Sequence, residues 1–505
     1  MRKHIWLMSI LLILPLLIHG QADTARYYKE IFSSVVETSQ LFSSNVPQPK
    51  KGGGFYENIT GYPLNVKEYD TQNVNLYMDI FEPDGDTATI RPLVILCFGG
   101  GFLDGNRKYW SIRLICQSLA RMGYVVASID YRLGMNIFDQ DLANRAVYRG
   151  VQDSRSAIRF FRADAANTNT YRIDPNKVFI GGHSAGAFIA LHNMYLDKET
   201  ERPISTGIWT QSGNNVPDQG CLDCVGNNLS FNGRANGGFS LAGAVGFTSY
   251  LESEISPLML MFHSSNDNTV PIGIGEPFST YTPFIAGDDL PTVYGSDEIK
   301  KRCDTINQVY QYSRYTNRGH GVHENGTSSL HTDIMPTIGQ WLYSKYLQPE
   351  DITIVGNSEV CEGQLSANYS VSTPINHHLF WEIVGGTILS SSNNEAQVTW
   401  DANVSTRKLS ARLISPHRAF GNKADREVAV ISAETNTWIG PGNWSDVNAW
   451  SQGRIPLSCD SIIIPNQINP LEITIPEFQN IELQAMDLGE NVFLIIPGSS
   501  TLKVK

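Results

Sequence analysis

"RIDPNKVFIGGHSAGAFIA", residues 172–190, is the stretch on which the reading of this chain turns. The apolar run Val178-Phe179-Ile180 passes through Gly181 and Gly182 into a helix-forming segment, with Ser184 at the crossing. Gly182-His183-Ser184-Ala185-Gly186 is a G-x-S-x-G. A tight strand-to-helix turn lifts a serine clear of a sheet, and small neighbours let the backbones approach. A serine at a helix N-terminus also sits where developing negative charge is favoured. The pattern alone equally describes a glycine turn with an idle serine. The strand–turn–helix context favours a nucleophile.

Around this turn, short apolar runs alternate with amphipathic ones from about Gln21 to Leu347. Strands are expected at "LVILCF" (93–98), "YVVASIDY" (124–131), "KVFIGG" (177–182), "STGIWTQ" (205–211) and "LMLMFH" (258–263). Continuous apolarity suits strands buried on both faces, as in a parallel sheet. Between them, "IRLICQSLARMG" and "DLANRAVYRGVQDSRSAIRFFRADA" have helical spacing. In the second, Leu142, Ala146, Val147, Val151, Ala157, Ile158 and Phe161 form one stripe. The alternation predicts an α/β fold with a mainly parallel sheet.

A second glycine-rich stretch, "VILCFGGGFLDG" (94–105), follows an early strand. It is no phosphate loop, since neither G-x-x-x-x-G-K-[ST] nor G-x-G-x-x-G is present. A packing role would not need three glycines in a row. Backbone N–H groups converging on a developing oxyanion would.

With these motifs in order, the sequence resembles the α/β-hydrolase superfamily. Within it, the chain is similar to bacterial serine carboxylesterases with a G-G-G oxyanion loop. "MDIFEP", "FGGGF", "IDYRLG", "QDSRSAIRFFRADA", "RIDPNKVFIGGHSAGA" and "FHSSNDNTVP" follow one another as in those esterases, over roughly Asn75 to Leu347. The resemblance extends to the feruloyl and acetylxylan esterase branch. It implies Ser184 as nucleophile, then an acid, then a histidine late in the chain. Asp267, just past a buried strand, matches the acid, ahead of Asp288 and Asp289; its other reading is a turn residue beside Asn266 and Asn268. Gly319-His320-Gly321 matches the base, with His323 in reserve and His331 behind it. His183 is expected to point away from Ser184. Gly100, Gly101 and Ala185 are implied as oxyanion donors. Many relatives have histidine where this chain has Phe98, so Phe98 is expected to pack the loop or to line an acyl pocket with Phe102 and Leu103. The resemblance implies ester hydrolysis without a metal or organic cofactor, on short-chain esters or on acetyl or feruloyl esters of polysaccharide. A peptidase of the same fold and a non-catalytic adhesion protein remain as alternatives.

Composition bounds the rest. The chain has 505 residues, 41% hydrophobic and 17% charged, with a formal net charge of -12. It is globular by these measures and offers no basic stripe to nucleic acid. "MRKHIWLMSILLILPLLIHG" (1–20) has the layout of a cleaved signal peptide, with an apolar run short for a membrane anchor. No later segment reads as membrane-spanning, so a secreted or cell-surface location is expected. Of the seven cysteines, Cys221 and Cys224 suggest a local staple. A single C-x-x-C lacks the second ligand pair of a zinc site.

Domains are expected at 21–350 (catalytic), 351–432 and 433–505, with no strict internal repeat. After about residue 350 helical periodicity gives way to short β-prone runs such as "HHLFWEIVGG" and "EAQVTW". Residues 351–432 resemble immunoglobulin-like modules of the polycystic-kidney-disease-repeat type, implying a β-sandwich. Residues 433–505 read as a further β-rich segment. Trp381, Trp400, Trp438, Trp444 and Trp450 read as core residues or, alternatively, as polysaccharide-binding rings. Nothing in the sequence sets an oligomeric state.

Overall fold

The computed structural model describes residues 23–52, 65–136, 139–253, 257–279, 290–324, 329–477 and 479–504. The expected signal peptide, residues 1–20, lies outside them, as do Asp288 and Asp289. Among the described residues no helix is long and apolar enough to cross a membrane. The chain divides into two compact units, Met1–Gln348 with His417–Ala419, and Pro349–Pro416 with Phe420–Lys505.

The first unit is built on an eight-stranded sheet. Its strands are β1 (Val35–Gly52), β2 (Asn65–Pro83), β3 (Arg91–Cys97), β4 (Val125–Ile129), β5 (Ile173–His183), β6 (Gly237–Leu241), β7 (Leu258–Ser264) and β8 (Tyr310–Tyr315). Their order is β1-β2-β4-β3-β5-β6-β7-β8. β3 to β8 run parallel, while β2 is antiparallel to both β1 and β4. β3 and β4 are buried along their whole length, which explains their unbroken apolar sequences. Together with the helices between strands and the tight turn at Ser184 after β5, this is an α/β-hydrolase fold.

The main helices are α1 (Trp110–Met122), α2 (Gln140–Asn167), α3 (Ala185–Tyr195), α4 (Ser296–Ile306) and α5 (Met335–Leu342). α1 ends at Gly123, whose φ of 111° only glycine adopts without strain. α2 begins at Asp139, which accepts hydrogen bonds from Asp141 N and Leu142 N. The apolar stripe of α2 faces the core. Four of its five arginines are buried as well, because each finds partners: Arg145 and Arg149 on Glu68, Arg155 and Arg159 on Asp223.

The strand expected at 205–211 does not join the sheet. Only Trp209–Gln211 is extended, in a hairpin with Asn214–Val216. The sixth place belongs instead to β6, "GGFSL". Its glycines hid it from a search for apolar runs, and packing requires them. A Cβ on Gly237 would lie 1.9 Å from Tyr346 Oη, and one on Gly238 would lie 2.0 Å from Ile180 O. β1, β2 and β8 carry many polar residues and likewise did not read as buried strands.

In the second unit, two three-stranded antiparallel sheets supply one apolar core. One sheet is Ser366–Ser370, Glu395–Trp400 and Gly386–Ser391; the other is His378–Val384, Lys408–Ile414 and Ala424–Glu427. Tyr369, Val398, Trp400 and Leu409 fill the core. From Ser461 onward the strands pair in parallel with strands one coil later, with Ser461 facing Ala485, Leu471 facing Val492 and Asn480 facing Thr501. This repeat was missed in sequence because it resides in pairing geometry rather than in residue identity. Trp438, Trp444 and Trp450 are buried in its core. Disulfides join Cys221 to Cys224 and Cys361 to Cys459, while Cys97, Cys116 and Cys303 are free and buried.

Candidate active site

The turn between β5 and α3 is held by close approaches. A Cβ on Gly182 would fall 2.3 Å from the Gly186 carbonyl, and one on Gly186 would fall 2.1 Å from Cys97 O. Only glycine allows the helix to start so close to the sheet. Ser184 has φ 54° and ψ -121°, a conformation that side chains rarely adopt and that the packed turn imposes. Its N–H donates to Leu241 O at 3.0 Å, fixing the turn on β6.

Asp267 follows β7. Its Oδ1 accepts from Thr269 N at 2.8 Å and Val270 N at 2.9 Å. Its carboxyl is held well below the usual carboxylate range. Burial opposes this, but contacts from His263 and His320 and the Val270 N–H outweigh it.

His320 lies in the loop after β8, and that loop is fastened to the turn that carries Asp267. Arg318 N donates to Ser264 Oγ, and Gly319 N to Asn266 Oδ1, each at 2.9 Å. His320 Nδ1 donates to Asp267 Oδ2 at 2.9 Å, and its Nε2 accepts from Ser184 Oγ at 2.8 Å. Serine, histidine and aspartate from three loops at one edge of the sheet thus form one hydrogen-bonded chain. The Asp267 side chain is fully buried and that of His320 is 21% exposed, so the outer end of the chain is open to a reactant.

The other histidines are placed elsewhere. His183 points away from Ser184 and donates from Nε2 to His320 O at 3.1 Å. His323 is buried with Nε2 3.0 Å from Ser111 Oγ. It contacts neither Ser184 nor Asp267. Burial first, then the neighbouring histidines, pull the His183 pKa well below 6.5. Burial and His320 lower that of His323 to about 4. His331 is exposed on the helical turn Leu330–Ile334.

The glycine loop lies against Ser184. A Cβ on Gly99 would be 3.3 Å from Ser184 Cβ. Gly100 and Gly101 have φ of 123° and 61°, and a Cβ on Gly100 would meet Asp104 O at 2.0 Å. Ala185 is the first residue of α3, whose N–H has no acceptor within the helix. Phe98 is buried beneath the loop, stacked on Tyr131 with ring centroids 4.2 Å apart, and Tyr131 Oη donates to Phe98 O. The same ring would be only 2.7 Å from a Cβ on Gly105, whose φ is 112°.

A cavity of about 350 Å³ opens beside Ser184, lined by Phe102, Phe188, Phe247, Tyr250, Phe278 and Tyr294 among others. Phe102 is part of its wall; Phe98 and Leu103 are not. Most of these rings come from segments after β6, which carry no motif. His263, at the end of β7, was also missed; a lone polar residue closing the run "LMLMFH" is the signal that would have found it.

Comparison with known proteins bears on this same region. The BD-FAE family model matches residues 78–226, which include the glycine loop and Ser184 but neither Asp267 nor His320. An arylacetamide deacetylase of Bos taurus is 28% identical over 145 residues, covering 28% of this chain and 34% of that protein. A lipase of Geotrichum candidum is 30% identical over 125 residues, 24% of this chain and 22% of the lipase. A neuroligin-like protein of Caenorhabditis elegans is 32% identical over 147 residues, 28% of this chain and 18% of that protein. The chain therefore spans about a third or less of these relatives' length. Among solved structures, a thermophilic esterase of Thermogutta terrifontis is similar at 20% identity, with 56% of this chain and 93% of that one covered and a TM-score of 0.38.

Proposed function

We propose that this protein is a serine carboxylesterase. The observation that carries the reading is the chain Ser184 Oγ–His320 Nε2–Asp267 Oδ2, with separations of 2.8 Å and 2.9 Å. In this mechanism His320 takes the Ser184 proton as Oγ attacks the ester carbonyl. The oxyanion rests on the N–H groups of Gly100, Gly101 and Ala185. The imidazolium, faced by Asp267, protonates the departing alcohol. Water activated by His320 then releases the acid from the acyl-enzyme. The similarity to esterases and lipases supports the same chemistry.

The aromatic cavity supports an acyl group larger than acetyl, an aromatic acyl such as feruloyl included, because it offers apolar faces and ample volume next to Ser184. Acetyl and other short-chain esters, free or polysaccharide-linked, are the alternative. We further propose export through the N-terminal segment, which the two disulfides support. Residues 351–432 are proposed as an immunoglobulin-like β-sandwich, a spacer following the catalytic domain at 21–350, with 433–505 as a further β module.

The test is an ester panel of increasing acyl size, with acetylated and feruloylated oligosaccharides and a peptide amide. Ser184→Ala should reduce ester turnover at least about 10³-fold with the fold intact. Retained turnover refutes the assignment, and preferred cleavage of the peptide would make the protein a peptidase.

A further inference from the structure

Asp267 faces a second histidine. His263 is completely buried, and its Nε2 lies 3.2 Å from Asp267 Oδ2, the same oxygen that accepts from His320. That Nε2 is also 3.2 Å from Val270 O. A carbonyl only accepts, so Nε2 carries the hydrogen. Nδ1, 2.9 Å from Ser296 Oγ, then accepts from the hydroxyl. The result is a relay from Ser296 at the start of α4, through His263 and Asp267, to His320 and Ser184.

We propose that His263 is a positioning residue of this site: by placing its N–H at Asp267 Oδ2 it limits how strongly the carboxylate holds His320, and so sets the acid limb of the activity profile. The proposal deepens the triad reading above and rests on it.

Its physical basis is competition for one oxygen. A carboxylate oxygen facing two N–H donors is a weaker acceptor toward each than one facing a single donor. With His263 in place, Asp267 Oδ2 is shared between two N–H groups, and its hold on His320 is weaker for it. Removing the His263 N–H returns Oδ2 wholly to His320. The titratable and charged groups around the relay are few. His183 and His323 lie on the His320 side, with Glu324 beside His323. Asp297, paired with Arg314, lies on the His263 side. Arg318, paired with Asp333, precedes the base in its loop. None of these reaches Asp267 Oδ2, so none substitutes for His263.

The experiment is the pH profile of kcat/KM on a p-nitrophenyl ester for the full chain, for His263→Leu, for His263→Gln and for Ser296→Ala. His263→Leu should move the acid limb upward by about half a pH unit or more and lower kcat about tenfold, with KM little changed. His263→Gln keeps an N–H at the Nε2 position and should restore the wild-type limb. Ser296→Ala, which weakens His263 as a donor, should move the limb the same way by less. If His263→Leu does not fold, Ser296→Ala decides. A folded His263→Leu, or in its place Ser296→Ala, with an unmoved acid limb overturns the proposal and leaves His263 as a core residue only. Ser184→Ala is assayed alongside: turnover retained there refutes the triad reading itself, a different result from an unmoved limb.

Discussion

His183 and His320 are joined by a hydrogen bond from the His183 Nε2–H to the main-chain carbonyl of His320, 3.1 Å long. His183, the residue before Ser184 in sequence, thus holds the loop of His320, a connection across 137 positions. The carbonyl also accepts from Val322 N at 3.0 Å, which closes the loop on itself. His183→Ala should loosen this loop and lower kcat about tenfold with KM nearly constant. His183→Gln, which keeps a donor, should recover most of the loss. Michaelis kinetics on one ester, with circular dichroism as the check on folding, measure both.

The turn at Ser184 tolerates no side chain at Gly186. Gly186→Ala places a Cβ 2.1 Å from Cys97 O and should abolish folding or cost more than about 3 kcal/mol. Gly273→Ala meets nothing within 4 Å and should change stability by less than about 0.5 kcal/mol. Urea denaturation of the two variants beside the parent separates the outcomes.

Buried histidines make the fold sensitive to mild acid. Burial lowers the pKa of both His192 and His323 from 6.5 to about 4. As pH falls from 6.5 toward 4, the unfolded chain takes up protons on these imidazoles that the folded chain refuses, so stability falls. Each histidine accounts for about 3 kcal/mol by pH 4. Asp267 acts in a different window. Its depressed folded pKa stabilises the fold above the unfolded carboxyl value, and that share is lost only as pH falls from there toward the depressed folded value. A melting series from pH 7.5 to 4 should show its steepest decline between 6.5 and 4. His323→Gln should flatten part of that decline.

Cavity volume should govern acyl preference. Val147 lines the cavity from α2. Val147→Trp fills space there and should lower kcat/KM for a feruloyl or octanoyl ester about tenfold or more relative to an acetyl ester. The ratio of the two kcat/KM values is the measurement, because it cancels differences in the active fraction.

Much of the site's chemistry was local in sequence, and for a physical reason. The tight turn at Ser184 needs glycines at fixed offsets from the serine, since Gly182 and Gly186 pack on backbone atoms. The proposed oxyanion loop needs backbone free of side chains, and Gly99-Gly100-Gly101 supplies it. β3, β4, β7 and the Val178–Gly182 part of β5 announced themselves because strands buried on both faces are apolar. By contrast, β6 is legible only once Tyr346 and Ile180 are known to crowd Gly237 and Gly238.

The sequence by itself determined the α/β alternation, the turn at Ser184 and the residue types that could complete a site around it. The family resemblance already put His320 ahead of His323, and the tertiary structure gives the physical reason that His320 meets Ser184 and Asp267. The loop after β8 is fastened to the turn that carries Asp267 through Ser264 and Asn266, while His323 is drawn inward to Ser111. Tertiary structure alone decided that Phe98 packs beneath the glycine loop on Tyr131 rather than facing the cavity. These outcomes depend on hydrogen bonds and packing between segments far apart in the chain, which local spacing does not encode.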